Sequence, residues 1–221
     1  RVDLRGLEVE QLRLLYDQYT PALVLQPVVA AIIAWLYWDH GTVAQDTIGI
    51  WMGLSVATLL GRLVLQQSFH RLPPTNDRRI LIYRQLLVGN ALIVGTLMGF
   101  ATVVFNPVLF SIDEGIIYDQ AIMVALIGGL AIVGVASYAP YLPAFFAFLL
   151  PAILPGGVYL GLSGNPVGEM FFLVDLLFLA FLTYAGSRIN QVTMGSLALQ
   201  FRNQALITYL DRARSDAEAL N

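Results

Sequence analysis

Six apolar runs, each about as long as a lipid bilayer is thick, constrain this chain more than anything else in it. They lie near Pro21 to Trp38, Thr47 to Leu65, Leu86 to Phe105, Gln120 to Ala139, Tyr141 to Leu162 and Met170 to Ser187. A helix needs about 20 apolar residues to cross a ~30 Å hydrocarbon core. Backbone N–H and C=O groups in lipid can be satisfied only within helices or a closed barrel. The runs lack the period-2 alternation of strands, so helices are predicted. Composition agrees: 12% of the 221 residues are charged, against about 25% in an ordinary soluble domain.

The chain has 12 basic residues, all of them arginine, and no lysine. With six spans, every arginine falls on one side, in alternate connections. The positive-inside rule turns that asymmetry into an orientation, with both ends cytoplasmic in a bacterial inner membrane. The formal charges on the other side are all acidic: Asp39, Asp46, Asp113, Glu114, Asp119 and Glu169. The basic side suits anionic lipid head groups. Its arginines are dispersed and not interleaved with aromatics, so nucleic-acid binding is not expected. The chain opens on a charged segment, and its first apolar run is long enough to span, so no cleavable signal peptide is expected. The fold class expected is all-α: a polytopic membrane protein with six transmembrane helices (20–187), a lead-in helix (1–19) and a cytoplasmic C-terminal signalling helix (188–221).

Within the lead-in, Leu12, Leu15, Tyr16 and Tyr19 recur at helical spacing, which predicts an amphipathic helix lying on the inner membrane surface or packed on a partner subunit. Thr20-Pro21 fits an N-cap with proline at the first helical position. Arg62, at the inner end of the second span, is expected to snorkel to the head groups. Gly128, Gly129 and Gly134 permit close helix packing in the fourth span. Pro143, Pro151 and Pro155, followed by Gly156-Gly157, predict a kink or break in the fifth.

Asp175 is the sharpest candidate for function, because a carboxylate inside a span is costly and needs a reason. It could hold a polar ligand head, act as a proton switch, or bond structurally to Asn90, Tyr138 or a backbone carbonyl. With Phe171, Phe172, Pro151 and Pro155 it could line a mostly apolar pocket with one polar anchor. Asn90 and Gln26 fit interhelical hydrogen bonding as well as ligand contact. Asp113, Glu114 and Asp119 match no calcium-loop spacing and read as a solvated loop. Without cysteine there is no disulfide, thiolate chemistry or Cys-ligated metal. His40 and His70 fall on opposite faces, which speaks against a shared metal or haem. The absence of lysine excludes a retinal Schiff base. No catalytic residue, metal ligand or cofactor is expected in this chain. A transporter or channel would call for midplane polar residues and two related halves, and neither is evident. An integral-membrane enzyme would call for clustered His, Asp or Glu.

Past the sixth span a heptad seam can be written through Ile189, Val192, Ser196, Leu199, Asn203, Leu206, Leu210, Ala213, Ala217 and Leu220. Spacings of 3 and 4 make a left-handed coiled-coil seam, and an Asn at an a-type position favours a dimer in fixed register. The alternative is a single helix lying on the membrane. The stretch from Leu199 to Ile207 and then Leu210 to Asn221 resembles the linker that precedes the phosphoacceptor helix of bacterial sensor histidine kinases. "Leu12-Arg-Leu-Leu-Tyr16" followed by six spans is similar to the membrane module of hybrid kinases and of some diguanylate cyclases. The resemblance implies a homodimeric sensory input module, tuned to a small apolar or amphipathic signal. It also implies an output through a protein-histidine phosphotransferase domain and a response regulator. No catalytic part of that family lies in these residues, so no catalytic residue carries over.

Overall fold

A computed structural model describes residues 4–17, 20–38, 43–72, 74, 76–105, 114–164 and 166–219. The described residues are helical, with no strand among them. The elements are α1 (Leu4–Asp17), α2 (Thr20–Trp38), α3 (Gln45–Arg71), α4 (Asp77–Val104), α5 (Glu114–Tyr138), α6 (Leu142–Gly161) and α7 (Pro166–Ala219). Each apolar run therefore falls within one helix, α2 to α7. Among the described residues, five stretches are long and apolar enough to cross a membrane: Gln45–Arg71, Asp77–Val104, Ala121–Tyr138, Leu142–Gly161 and Pro166–Asp211. Leu23–Trp38 is a shorter apolar helix. The outward faces of these helices are themselves apolar. Leu173, Leu177 and Phe181 on α7 are 60%, 73% and 63% exposed, and Ile50 on α3 is 66% exposed. An apolar surface this continuous fits lipid and not water.

The bundle is built around α4 and α6, and the closeness of that pair comes from small residues. A methyl group at Gly95 would collide with the carbonyl of Phe148, and one at Gly99 with the carbonyl of Pro151. The Gly95-x-x-x-Gly99 pair thus lets two backbones touch, as small-residue motifs do in membranes. Pro155 has no N–H to offer the Pro151 carbonyl four residues back, and that carbonyl faces Gly99. The expected break in the fifth span is absent: α6 runs uninterrupted through Pro151 and Pro155. Packing against α4 stabilises it. Around this pair α2 packs on α3 and α5, α3 on α4, and α7 along α6. At the arginine-free end, Trp51 donates to the Leu97 carbonyl (2.8 Å) and packs edge-on against Phe105 (5.2 Å).

Two expectations for the arginine-bearing end are corrected. The described apolar residues of α1 turn inward and are not left for lipid or a partner subunit; Tyr19 lies outside the described residues. Leu12, Leu15 and Tyr16 are at most 1% exposed, buried under the protein's own bundle. Tyr16 stacks on Phe69 (centroids 4.5 Å apart) and its hydroxyl donates to the Tyr83 carbonyl (3.4 Å). Arg62 does not snorkel. It is 3% exposed, and its guanidinium lies 5.1 Å from the centroid of the Tyr138 ring. The inward face of α3 carries Arg62 into the bundle, where Tyr138 offers a π face that partly offsets the loss of water.

Candidate functional site

The last helix is one uninterrupted α-helix of 54 residues, about 80 Å at 1.5 Å per residue. Its first part lines a cavity between helices. Its middle part is gripped by the rest of the fold, and its last part stands clear of it.

The cavity has a volume of about 350 Å³ and is lined by α4, α5, α6 and α7. Its floor is α6, through Ala152, Ile153, Gly156 and Leu160, with Thr102 of α4 behind. Gly128 and Gly156 leave the space. A side chain at Gly128 would rest against Phe178, and one at Gly156 would run into Thr102. The rim consists of Ala125, Gly129 and Ile132 on α5 and Val174 on α7, all of them exposed on the flank of the bundle. The opening therefore faces sideways between α5 and α7, where acyl chains would lie. The lining is apolar except for two groups. The Thr102 hydroxyl donates to the Gly99 carbonyl (2.6 Å). Among the described residues Asp175, nine residues into α7, is the only ionisable group in the lining, and its carboxylate makes no hydrogen bond or ion pair with them. It lies over Gly157, where a β-carbon would come within 3.0 Å of Oδ2. Gly157 is the close approach that gives the carboxylate room beside α6.

Of the residues expected around Asp175, the structure brings few together. Phe172 lies against Gly157 and Gly161 beside it, but Phe178, one turn further along α7, is the aromatic in the cavity. Pro151 and Pro155 face α4 at Gly95 and Gly99. Phe171 is half-buried on α7 outside the lining. Asn90 and Tyr138 are not partners of Asp175. Asn90 donates to the Thr58 carbonyl (3.3 Å), and Tyr138 belongs to the Arg62 cluster at the other end of α5. Gln26 also serves the helix contacts, donating to Thr58 Oγ1 (3.3 Å). Asp113 and His40 lie outside the described residues, as do the side chains of Glu114 and Asp119. Among the described residues no group of three His, Cys, Asp or Glu could hold a metal.

The grip on α7 is a feature that sequence reasoning missed. Asn190 donates through Nδ2 to the carbonyls of Ala139 and Pro140, both at 2.9 Å, in the turn between α5 and α6. Gln11 of α1 donates to the same Pro140 carbonyl (2.6 Å). Gln11 Oε1 in turn accepts from Arg84 (3.2 Å), which pairs with Glu8 (3.4 Å) and lies 5.4 Å from the Tyr141 ring centroid. One turn carbonyl thus ties α1 to α7. Leu197, 5% exposed, lies two turns past Asn190 on the same side of α7.

The opposite side of the shaft is bare. Ile189, Val192, Leu199, Leu206 and Leu210 are 39%, 60%, 60%, 58% and 63% exposed, and Ser196 and Asn203 between them are exposed too. From Arg202 to Asp211 every residue is exposed on every side. Leu220 lies outside the described residues, as do the side chains of Ala213 and Ala217. No coiled coil is formed within the single chain. Compared with known proteins, the chain matches no family model, no curated protein and no solved structure.

Proposed function

We propose that this chain is the membrane sensory input and dimerisation module of a sensor histidine kinase. Two copies would pair along α7 in a bacterial inner membrane, with the arginine-bearing end cytoplasmic. The observation that carries the proposal is the continuity of α7. The same rigid helix lines the cavity at Asp175 and Phe178 and presents the bare row Val192, Leu199, Leu206 and Leu210. An isolated helix in water is marginal even at 12–15 residues. A leg exposed on all sides from Arg202 to Asp211, with leucines at 3–4 spacing, gains stability by pairing with a second copy.

In this reading a small apolar or amphipathic signal enters the cavity and favours one packing of α7 over another. It shifts the balance only by its differential affinity for the two. The turn at Ala139-Pro140 acts as the fulcrum, because Asn190 and Gln11 both hold it. The resemblance of the shaft to kinase linkers supports a phosphotransferase and a response regulator as the output. A diguanylate cyclase with the same input architecture is the alternative. The sequence following Asn221 in the gene tests the output. A Ser-His-Glu/Asp-Leu-Arg-type box within about ten residues, at the heptad phase of the shaft, supports the kinase. A Gly-Gly-Asp/Glu-Glu-Phe domain in its place supports the cyclase, and a stop codon overturns both.

A further inference from the structure

We propose that the cavity takes a cationic amphiphile: a protonated amine seated on Asp175, with a single apolar chain of about a dozen carbons, entering from the lipid between α5 and α7. The inference rests on the sensory reading above only for its consequence, since the site itself follows from its walls. The one ionisable group in the lining is a carboxylate without a partner among the described residues. An uncompensated charge at membrane depth is costly, and a cation offsets that cost where a neutral head does so only in part. A carboxylic or phosphate head would place like charges together in an apolar medium. The rest of the lining is hydrocarbon, which selects an apolar body.

Size sets the chain length. At ~30 Å³ per water-sized group, 350 Å³ holds about twelve such groups. That volume encloses about one alkyl chain. Access sets the route. Ala125, Gly129, Ile132 and Val174 form an exposed apolar rim on the flank, so the ligand partitions into the bilayer first. The connections at the arginine-free end carry six acids and no arginine or lysine in sequence, a field that gathers cations at the end nearer the cavity.

Dodecylamine and dodecanol separate the two parts of the proposal, because they share a chain and differ in head. The chain has no cysteine, so Val174→Cys gives a single fluorine label at the rim. The full chain in zwitterionic nanodiscs is titrated with each probe, against empty discs to correct for partitioning. Saturable label shifts are expected with dodecylamine at an affinity at least tenfold above dodecanol. Asp175→Asn is expected to remove that difference and leave dodecanol within threefold. Gly129→Trp places an indole at the opening, where a β-carbon meets nothing within 4 Å. It is expected to abolish both shifts. Equal affinities for the two probes, or an amine affinity that Asp175→Asn does not change, overturns the proposal. Such a failure leaves the pairing of α7 standing, because cross-linking along the shaft reads that pairing separately.

Discussion

Asn190 and Gln11 converge on the Pro140 carbonyl, and that convergence makes a non-additive prediction. Pro140 is buried, and its carbonyl accepts from Asn190 at 2.9 Å and from Gln11 at 2.6 Å. Removing one donor leaves the other in place. Removing both strands a buried carbonyl. Gln11→Met and Asn190→Leu keep side-chain bulk and delete the donors. A net hydrogen bond contributes about 1 kcal/mol, while a buried polar group with no partner costs about 1–3 kcal/mol. Each single variant should therefore lose about 1 kcal/mol, with Asn190→Leu the larger because it also gives up Ala139. The double variant should lose roughly 1 kcal/mol beyond the sum of the singles. Unfolding in mixed micelles with rising SDS fraction reads the cycle. Independent sites add within about 0.5 kcal/mol. Additivity within that margin would show that the two terminal helices do not share the turn, and the fulcrum would be lost with it.

Other expectations follow from particular contacts. Gly99→Ala should cost about 1–3 kcal/mol by overpacking against the Pro151 backbone, whereas Gly53→Ala, with open space around it, should be neutral or slightly stabilising in the same assay. Tyr138→Leu removes the ring over Arg62 and should cost about 2 kcal/mol; in an Arg62→Met background most of that cost should vanish, and an unchanged cost would mean that the ring acts by packing alone. Burial pushes the Tyr16 phenol above its ordinary value of 10.0, with Tyr83 adding to the rise and Arg62 opposing it. A raised folded-state value means that this contribution to stability is complete below pH 10 and is lost as pH climbs above it. Protease sensitivity of α1 should therefore rise above pH 10, and Tyr16→Phe, which keeps the stack on Phe69, should remove that alkaline step.

Much of the architecture was legible because lipid leaves few choices. A 20-residue apolar run in lipid must be helical, so each run lies on one helix, and the turn at Ala139-Pro140 separates α5 from α6. Asp175 stood out for the same reason, as the one acid in the middle of a run. Its surroundings were not legible. Helical spacing places Phe171, Phe172 and Phe178 all within one turn of it, and the position of α5 and α6 decides which one faces the cavity. Pro151 and Pro155 predict a break by local rules, yet in the fold they face Gly95 and Gly99, a contact between distant segments. Arg62 misled because a cation near a span's end ordinarily reaches outward. Its direction depends on the rotation of α3, which apolar residues all round that helix do not reveal. Gln11 and Asn190 carry no local signal, since both sit among other polar residues and acquire meaning only where α1 and α7 meet the same turn.

The coupling of cavity to shaft through α7 is tested most directly by disulfide cross-linking of single cysteines placed in turn from Leu199 to Leu210, in native membranes, with and without Asp175→Asn. Strong cross-links are expected at 199, 203, 206 and 210 and weak ones between, with relative yields that change in Asp175→Asn while the amount of folded protein does not. A flat profile would contradict pairing along α7. A profile that Asp175→Asn leaves untouched would contradict the link from cavity to seam.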